Sequence, residues 1–165
     1  MSSIEPKTDL SFRLCVDPSD LPHILRLAEE AHHESRLGHI PFSEEKVRKL
    51  AAAAFKKQDR QAVMLAFKSD LPVGIAYCSI GEYHIGSGLL LTTIHNINVT
   101  RSVRETLSGG KVALGLFRGI ETWSKARGAS EILLHVTSGV HTDRAHKLAK
   151  RLGYKFIGGS YAKTS

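Results

Sequence analysis

The 165-residue chain has only two cysteines, Cys15 and Cys78, in separate apolar runs without Cys-x-x-Cys spacing. This excludes a disulfide framework and a cysteine metal site, and reads as buried thiols in a reducing compartment. No apolar run approaches the ~18–20 residues that a membrane-spanning helix needs. The opening stretch, residues 1–9, lacks the basic-then-apolar pattern of a secretory signal, so the expected location is cytoplasmic. Repeats and low-complexity tracts are absent. Dense basic blocks are absent too: lysine and arginine are scattered, with local pairs such as Lys56-Lys57 and Lys150-Arg151. The histidines lack metal-ligand spacing. His33-Glu34 has no second histidine at His-Glu-x-x-His distance, and His141 and His146 do not form a set, so no metal is expected.

What is present is the composition of an ordinary globular domain, with 42 % hydrophobic and 24 % charged residues. The length suits a single domain over residues 10–165, preceded by a frayed polar stretch at 1–9. A net charge of +7 attracts anions. A phosphorylated cofactor and nucleic acid are both candidates, but no nucleic-acid motif accompanies the charge, which ranks that partner last.

Periodicity predicts the elements. Residues 10–16 alternate as a strand. Asp17-Pro18-Ser19-Asp20 supplies turn and cap chemistry for a helix to about His33. Gly38 and Pro41 punctuate a loop, and Ser43 caps a second helix. Residues 61–68 and 72–80 are apolar strands joined by a hairpin turn. Residues 89–99 form a third long strand. A loop containing Gly109-Gly110 then opens an amphipathic helix from about Lys111 to Arg127, and Gly128 ends it. Residues 131–137 form a strand, a helix capped by Thr142 or Asp143 follows, and 154–161 form a final strand.

Three consecutive strands between helices exclude a doubly wound sheet. An α+β fold fits: a mixed, mostly antiparallel sheet flanked by helices. The right-handed crossover rule makes strands 89–99 and 131–137 a parallel pair.

A strand ending at Val99 before a glycine-marked helix start aims free backbone N–H groups at one spot. Those donors and the helix dipole suit a pyrophosphate. Gly109-Gly110 permits close backbone approach, and Arg101, Arg104 and Lys111 add positive charge.

The element order, and the residues from 89 onward, resemble the GNAT acetyltransferase family, its phage- and proteobacterial-type members in particular. The stretch Asn96-Ile97-Asn98-Val99-Thr100-Arg101-Ser102-Val103-Arg104 matches the family's strand-loop motif at Val99 and Arg104; Arg101 stands where proline is usual. The run from Ala113 to Ala129 is similar to the family's "Leu-Leu…Trp-Ala…Gly-Ala" helix. Ala145, Leu148 and Gly153 match its last helix. The loop after Val99 is longer than the family pattern.

The resemblance implies a GNAT fold and an acetyl-CoA-dependent N-acetyltransferase acting by direct transfer to an amine. It implies acetyl-CoA binding by Ile97, Asn98 and Val99 of the strand, by Arg101 and Arg104, and by Gly109, Gly110, Lys111 and Val112. His95 is the candidate base that takes the amine proton. Its four-residue spacing from Val99 places both on one face of the strand, with Asn96 and Asn98 on the other. His135 is a lesser candidate in a strand that reads as buried. Glu34, in the His32-His33-Glu34-Ser35 stretch, is a candidate for holding a cationic amine.

Ala149 stands where the family commonly carries a tyrosine general acid. That departure keeps a second reading open, a GNAT-like module that binds an acyl-CoA or a partner without transfer. A homodimer through the edge of the final strand is a candidate assembly.

Overall fold

The computed structural model describes residues 9–165, so all but the last residue of the frayed stretch expected at 1–9 lies outside the described residues. Five strands form one sheet in sequence order: β1 (Leu10–Leu14), β2 (Gln61–Lys68), β3 (Leu71–Glu82), β4 (Leu90–Val99) and β5 (Ala129–Leu134). β1 to β4 pair antiparallel, and β4 and β5 pair parallel. Helices α1 (Leu21–Glu34) and α2 (Glu44–Lys56) cover one face. The other is covered by α4 (Leu107–Ala126), which follows a single helical turn, α3 (Arg101–Arg104), and by α5 (Thr142–Arg151).

The unbroken apolar run of β2 follows from this sandwiching. Val63 and Leu65 point to α1 and α2, where they meet Ile24, Leu27, Ala51 and Ala54. Ala62, Met64 and Ala66 point to α4, where they meet Val112, Leu116 and Ile120. Helix α4 lies close to the sheet because two of its residues lack side chains. A Cβ at Gly115 would strike the Phe12 ring, and one at Gly119 would strike the Met64 sulfur.

Local signals act as expected at two starts. Ser43 Oγ accepts from Lys46 N at 3.4 Å at the head of α2. Asp17 accepts from Ser19 N at 2.7 Å around Pro18. Asp20 does not cap α1; it is buried and takes Arg13 instead, Nη1 to Oδ2 at 2.6 Å. An unpaired carboxylate there would cost far more than an empty cap.

Four expectations are corrected. The first strand ends at Leu14 rather than residue 16, as the chain turns into the Asp17 cap. The helix expected from Lys111 begins at Leu107, which draws Gly109 and Gly110 out of the loop and into its first turn. The fifth strand is Ala129–Leu134, so His135 lies beyond it and is exposed. The final strand expected at 154–161 does not form. Gly153 (φ 87°) ends α5, and the backbone after Tyr154 runs without secondary structure, leaving Phe156, Ile157 and Tyr161 exposed. Gly158 and Gly159 remove the side chains that would anchor a strand there.

Candidate active site

β4 and β5 pair only from Leu90 opposite Ala129 to Ile94 opposite Leu134. One further bond, His135 N to the Ile94 carbonyl at 3.4 Å, marks where the strands part. β4 continues to Val99 with no strand on that edge among the described residues. Its peptide groups there face an opening.

A bulge sits at the same point. Cys78 is opposite Ile94 but Tyr77 is opposite Asn96, so His95 is an extra residue on β4. The insertion reverses the alternation that spacing alone predicts. Ile94, Ile97 and Val99 all pack toward α4. His95 instead stacks on Tyr77, at 5.0 Å between centroids and 26° between planes, and Tyr77 packs with the α1 and α2 side. His95 and Val99 therefore lie on opposite faces. Asn96 and Asn98, paired with Tyr77 and Ile75, share the face of His95 rather than opposing it.

The imidazole is held from several sides. Nε2 of His95 is 2.7 Å from Ser79 Oγ. The Tyr77 hydroxyl donates to Gln61 Oε1 at 3.2 Å, fixing the ring beneath it. Burial, and then the neighbouring His135, lower the His95 pKa and favour the neutral ring. Beside this group lies a cavity of about 310 Å³, lined by Ser79, Glu82, Tyr83, His84, Thr93 and Leu133 among others. Glu82 Oε1 accepts from Gly88 N at 2.8 Å, which closes the β3–β4 hairpin over that end.

The Val99 end of β4 is reached by α1 through Arg104. Glu34 forms an ion pair with Arg104, both largely shielded from solvent. The same guanidinium donates to the Val99 carbonyl through Nε at 3.0 Å and Nη2 at 2.9 Å. Beyond Glu34, Arg36 N donates to the Ser138 carbonyl at 2.8 Å, tying the α1–α2 loop to the segment after β5.

At the end of β4 the backbone passes through α3 into α4. Gly109 N donates to the Thr106 carbonyl at 3.0 Å. Helix geometry leaves Leu107 and Ser108 as the first-turn N–H groups without an intrahelical acceptor. The two glycines differ. A Cβ at Gly109 would lie 2.5 Å from the Val103 carbonyl oxygen, whereas one at Gly110 would meet nothing. Lys111 is exposed, and Val112 is fully buried on the sheet-facing side of α4.

No family model and no curated protein sequence matches this chain. Solved structures do. The aminoglycoside acetyltransferase AAC(6')-Iy, bound to a CoA bisubstrate analogue, superposes with a TM-score of 0.72 at 16 % identity, covering 94 % of this chain and 97 % of that one. A ribosomal-protein-alanine N-acetyltransferase from Brucella melitensis biovar Abortus 2308 gives 0.67 at 15 % identity, over 94 % and 99 %. A transcriptional regulator from Bacillus halodurans C-125 gives 0.69 at 18 % identity, over 94 % and 99 %.

The chain has the GNAT acetyltransferase fold. Within that GNAT frame the candidate residues divide. His95 stands at the strand opening with the cavity beside it, and Ile97, Asn98 and Val99 line the open stretch of β4. Arg101 N is engaged by Glu30 Oε1 at 3.2 Å, while its side chain is exposed. Glu34 and Arg104, assigned by sequence to opposite ends of the site, hold each other. Gly109, Gly110, Lys111 and Val112 lie within the helix, so the free N–H donors shift back to Leu107 and Ser108.

The α5 position expected to carry a general acid is Ala149, buried. Tyr154 does not replace it. It packs on Phe117, its hydroxyl faces Glu121 Oε1 at 3.4 Å, and burial with that carboxylate pushes its pKa up. Among the described residues no His, Cys, Asp and Glu cluster suits a metal. No helix described is long and apolar enough to cross a membrane.

Sequence reasoning missed Ser79 and Glu82. Ser79 carries no motif, and its importance depends on the bulge that brings His95 to it. The segment 81–88 is a recognisable turn region, but nothing in it marks Glu82 as the carboxylate of the cavity.

Proposed function

We propose that this protein is an acetyl-CoA-dependent N-acetyltransferase that moves the acetyl group directly to an amine of a small molecule or protein. The observation that carries this reading is the parting of β4 and β5 after Ile94 and Leu134. It leaves open strand backbone between a helix start and a cavity lined by Ser79, the hydrogen-bond partner of His95. The superposed acetyltransferases, one of them bound to a CoA analogue, support it.

Each residue then has a physical task. The open edge at Ile97, Asn98 and Val99 offers peptide groups to an amide-bearing pantetheine chain, as a strand would. The Leu107 and Ser108 N–H groups and the α4 dipole favour the pyrophosphate, with charge from Arg101 and Lys111. Gly110 leaves bare backbone on that surface. Arg104 acts from behind, fixing the Val99 end of β4.

The acceptor amine occupies the cavity beside Ser79, where Glu82 favours its cationic form on entry. Reaction needs the neutral amine, and His95, whose neutral ring is favoured by partial burial and His135, accepts the proton. Glu34, already bound to Arg104, supports the Val99 end of β4 rather than holding the amine. With Ala149 at the acid position, the thiolate leaves without a tyrosine donor. That substitution also favours a second reading, a cofactor-binding module without transfer.

Calorimetric titration with acetyl-CoA, followed by CoA-thiol release over a panel of amines, tests both. Binding with amine-dependent thiol release supports the transferase. Binding without release favours the module, and no binding at about 1 mM overturns both.

A further inference from the structure

The cavity beside the strand opening is lined by Ser79 but not by His95. The imidazole, on an exposed residue, meets the cavity through that hydroxyl, its Nε2 at 2.7 Å from Ser79 Oγ. Its other neighbours hold it in place. Tyr77 stacks on the ring, and the bulge fixes the backbone beneath it. The ionisable groups around the imidazole are Tyr77 of β3 and His135 beyond β5. No carboxylate bonds to it among the described residues, so Ser79 is its one hydrogen-bond partner in the direction of the cavity.

We propose that Ser79 relays the acceptor amine's proton to His95, so that the hydroxyl is the group that meets the substrate. This deepens, and rests on, the transferase reading above. With Ser79 as donor, Nε2 is the accepting nitrogen and Nδ1 carries the ring hydrogen. Ser79 Oγ takes a proton from the ammonium as its own hydrogen passes to Nε2, leaving a neutral amine and an imidazolium. The amine lone pair forms the N–C bond to the thioester carbonyl. The electron pair of the C–S bond leaves with sulfur. The remaining extra proton on nitrogen goes to that thiolate, giving amide and CoA thiol. His95, an exposed residue, returns its proton to water. Partial burial and His135, which disfavour the charged ring, favour this return.

The test compares the parent with Ser79→Ala, Ser79→Thr, His95→Ala and the double alanine variant. Acetyl-CoA affinity, thermal unfolding and the pH dependence of amine-dependent thiol release are measured on each. The relay predicts that Ser79→Ala lowers kcat/KM by ~10²–10⁴-fold and abolishes the acid limb due to His95, with acetyl-CoA affinity unchanged. Ser79→Thr, which keeps a hydroxyl, restores most of the activity. The double variant is no slower than either single variant, because the two groups act as one unit.

Parental kcat/KM in folded Ser79→Ala, alongside a slow His95→Ala, overturns the relay and leaves the transferase standing. An acetyl group found on Ser79 after incubation with acetyl-CoA alone also overturns it, since the serine is then a nucleophile. A parent that neither binds acetyl-CoA nor releases thiol overturns the transferase reading and the relay with it.

Discussion

Glu34, the last residue of α1, and Arg104, the last residue of α3, form an ion pair that also grips the Val99 carbonyl. The end of α1, seventy residues away in sequence, thus meets the end of β4 and the turn before α4 at one guanidinium. The pair sits where β4 stands free of β5, and it substitutes for part of the support that a paired strand would receive.

Arg104→Ala and Glu34→Gln should each destabilise the fold by about 1–3 kcal/mol, because each strands a shielded polar partner. Their effects should not add in a double-mutant cycle, with a coupling of at least ~0.5 kcal/mol. Arg104→Lys should not rescue, since one ammonium cannot make the planar fork to carboxylate and carbonyl together. Urea unfolding of the variants measures all three; strict additivity would contradict the clamp.

The adjacent glycines of α4 should behave oppositely. Gly109→Ala should destabilise, because its Cβ would press on the Val103 and Arg104 carbonyls. Gly110→Ala should keep or raise stability, by up to about 1 kcal/mol, since its Cβ meets open space inside a helix. Gly110→Val should weaken acetyl-CoA binding while the protein stays folded, if bare backbone there receives the cofactor. Calorimetry beside thermal unfolding separates the two effects.

The lowered pKa of His95 carries a sign for both stability and rate. The unfolded chain binds this proton more readily, at the ordinary value near ~6.5. The contribution is therefore complete above about pH 6.5 and is lost as pH falls through the lower folded value. Thermal unfolding of His95→Asn should depend less on pH across that window than the parent does. The acid limb of kcat/KM should likewise lie below ~6.5 in the parent.

Much of the fold was legible because burial repeats along the chain. The two-sided core of β2, the apolar faces of α1, α2 and α4, and the Ser43 cap are local consequences of side-chain order. The parallel pairing of β4 with β5 followed from the crossover rule. The site was less legible because it is built where the order breaks. One extra residue at His95 inverts the alternation of every β4 residue after it. The helix start at Leu107 depends on Gly109 packing beneath the α3 carbonyls, a tertiary contact that Gly-Gly alone does not announce. The strand-like residues 154–161 need a paired neighbour to become a strand, and this chain's sheet ends at β5 without engaging them.

The most direct measurement of the central claim is amine-dependent release of CoA thiol from acetyl-CoA, with calorimetric binding on the same preparation. The account predicts saturable acetyl-CoA binding, thiol release with at least one amine, and loss of that release in His95→Ala at unchanged cofactor affinity. No acetyl-CoA binding at about 1 mM and no thiol release across the panel would contradict it.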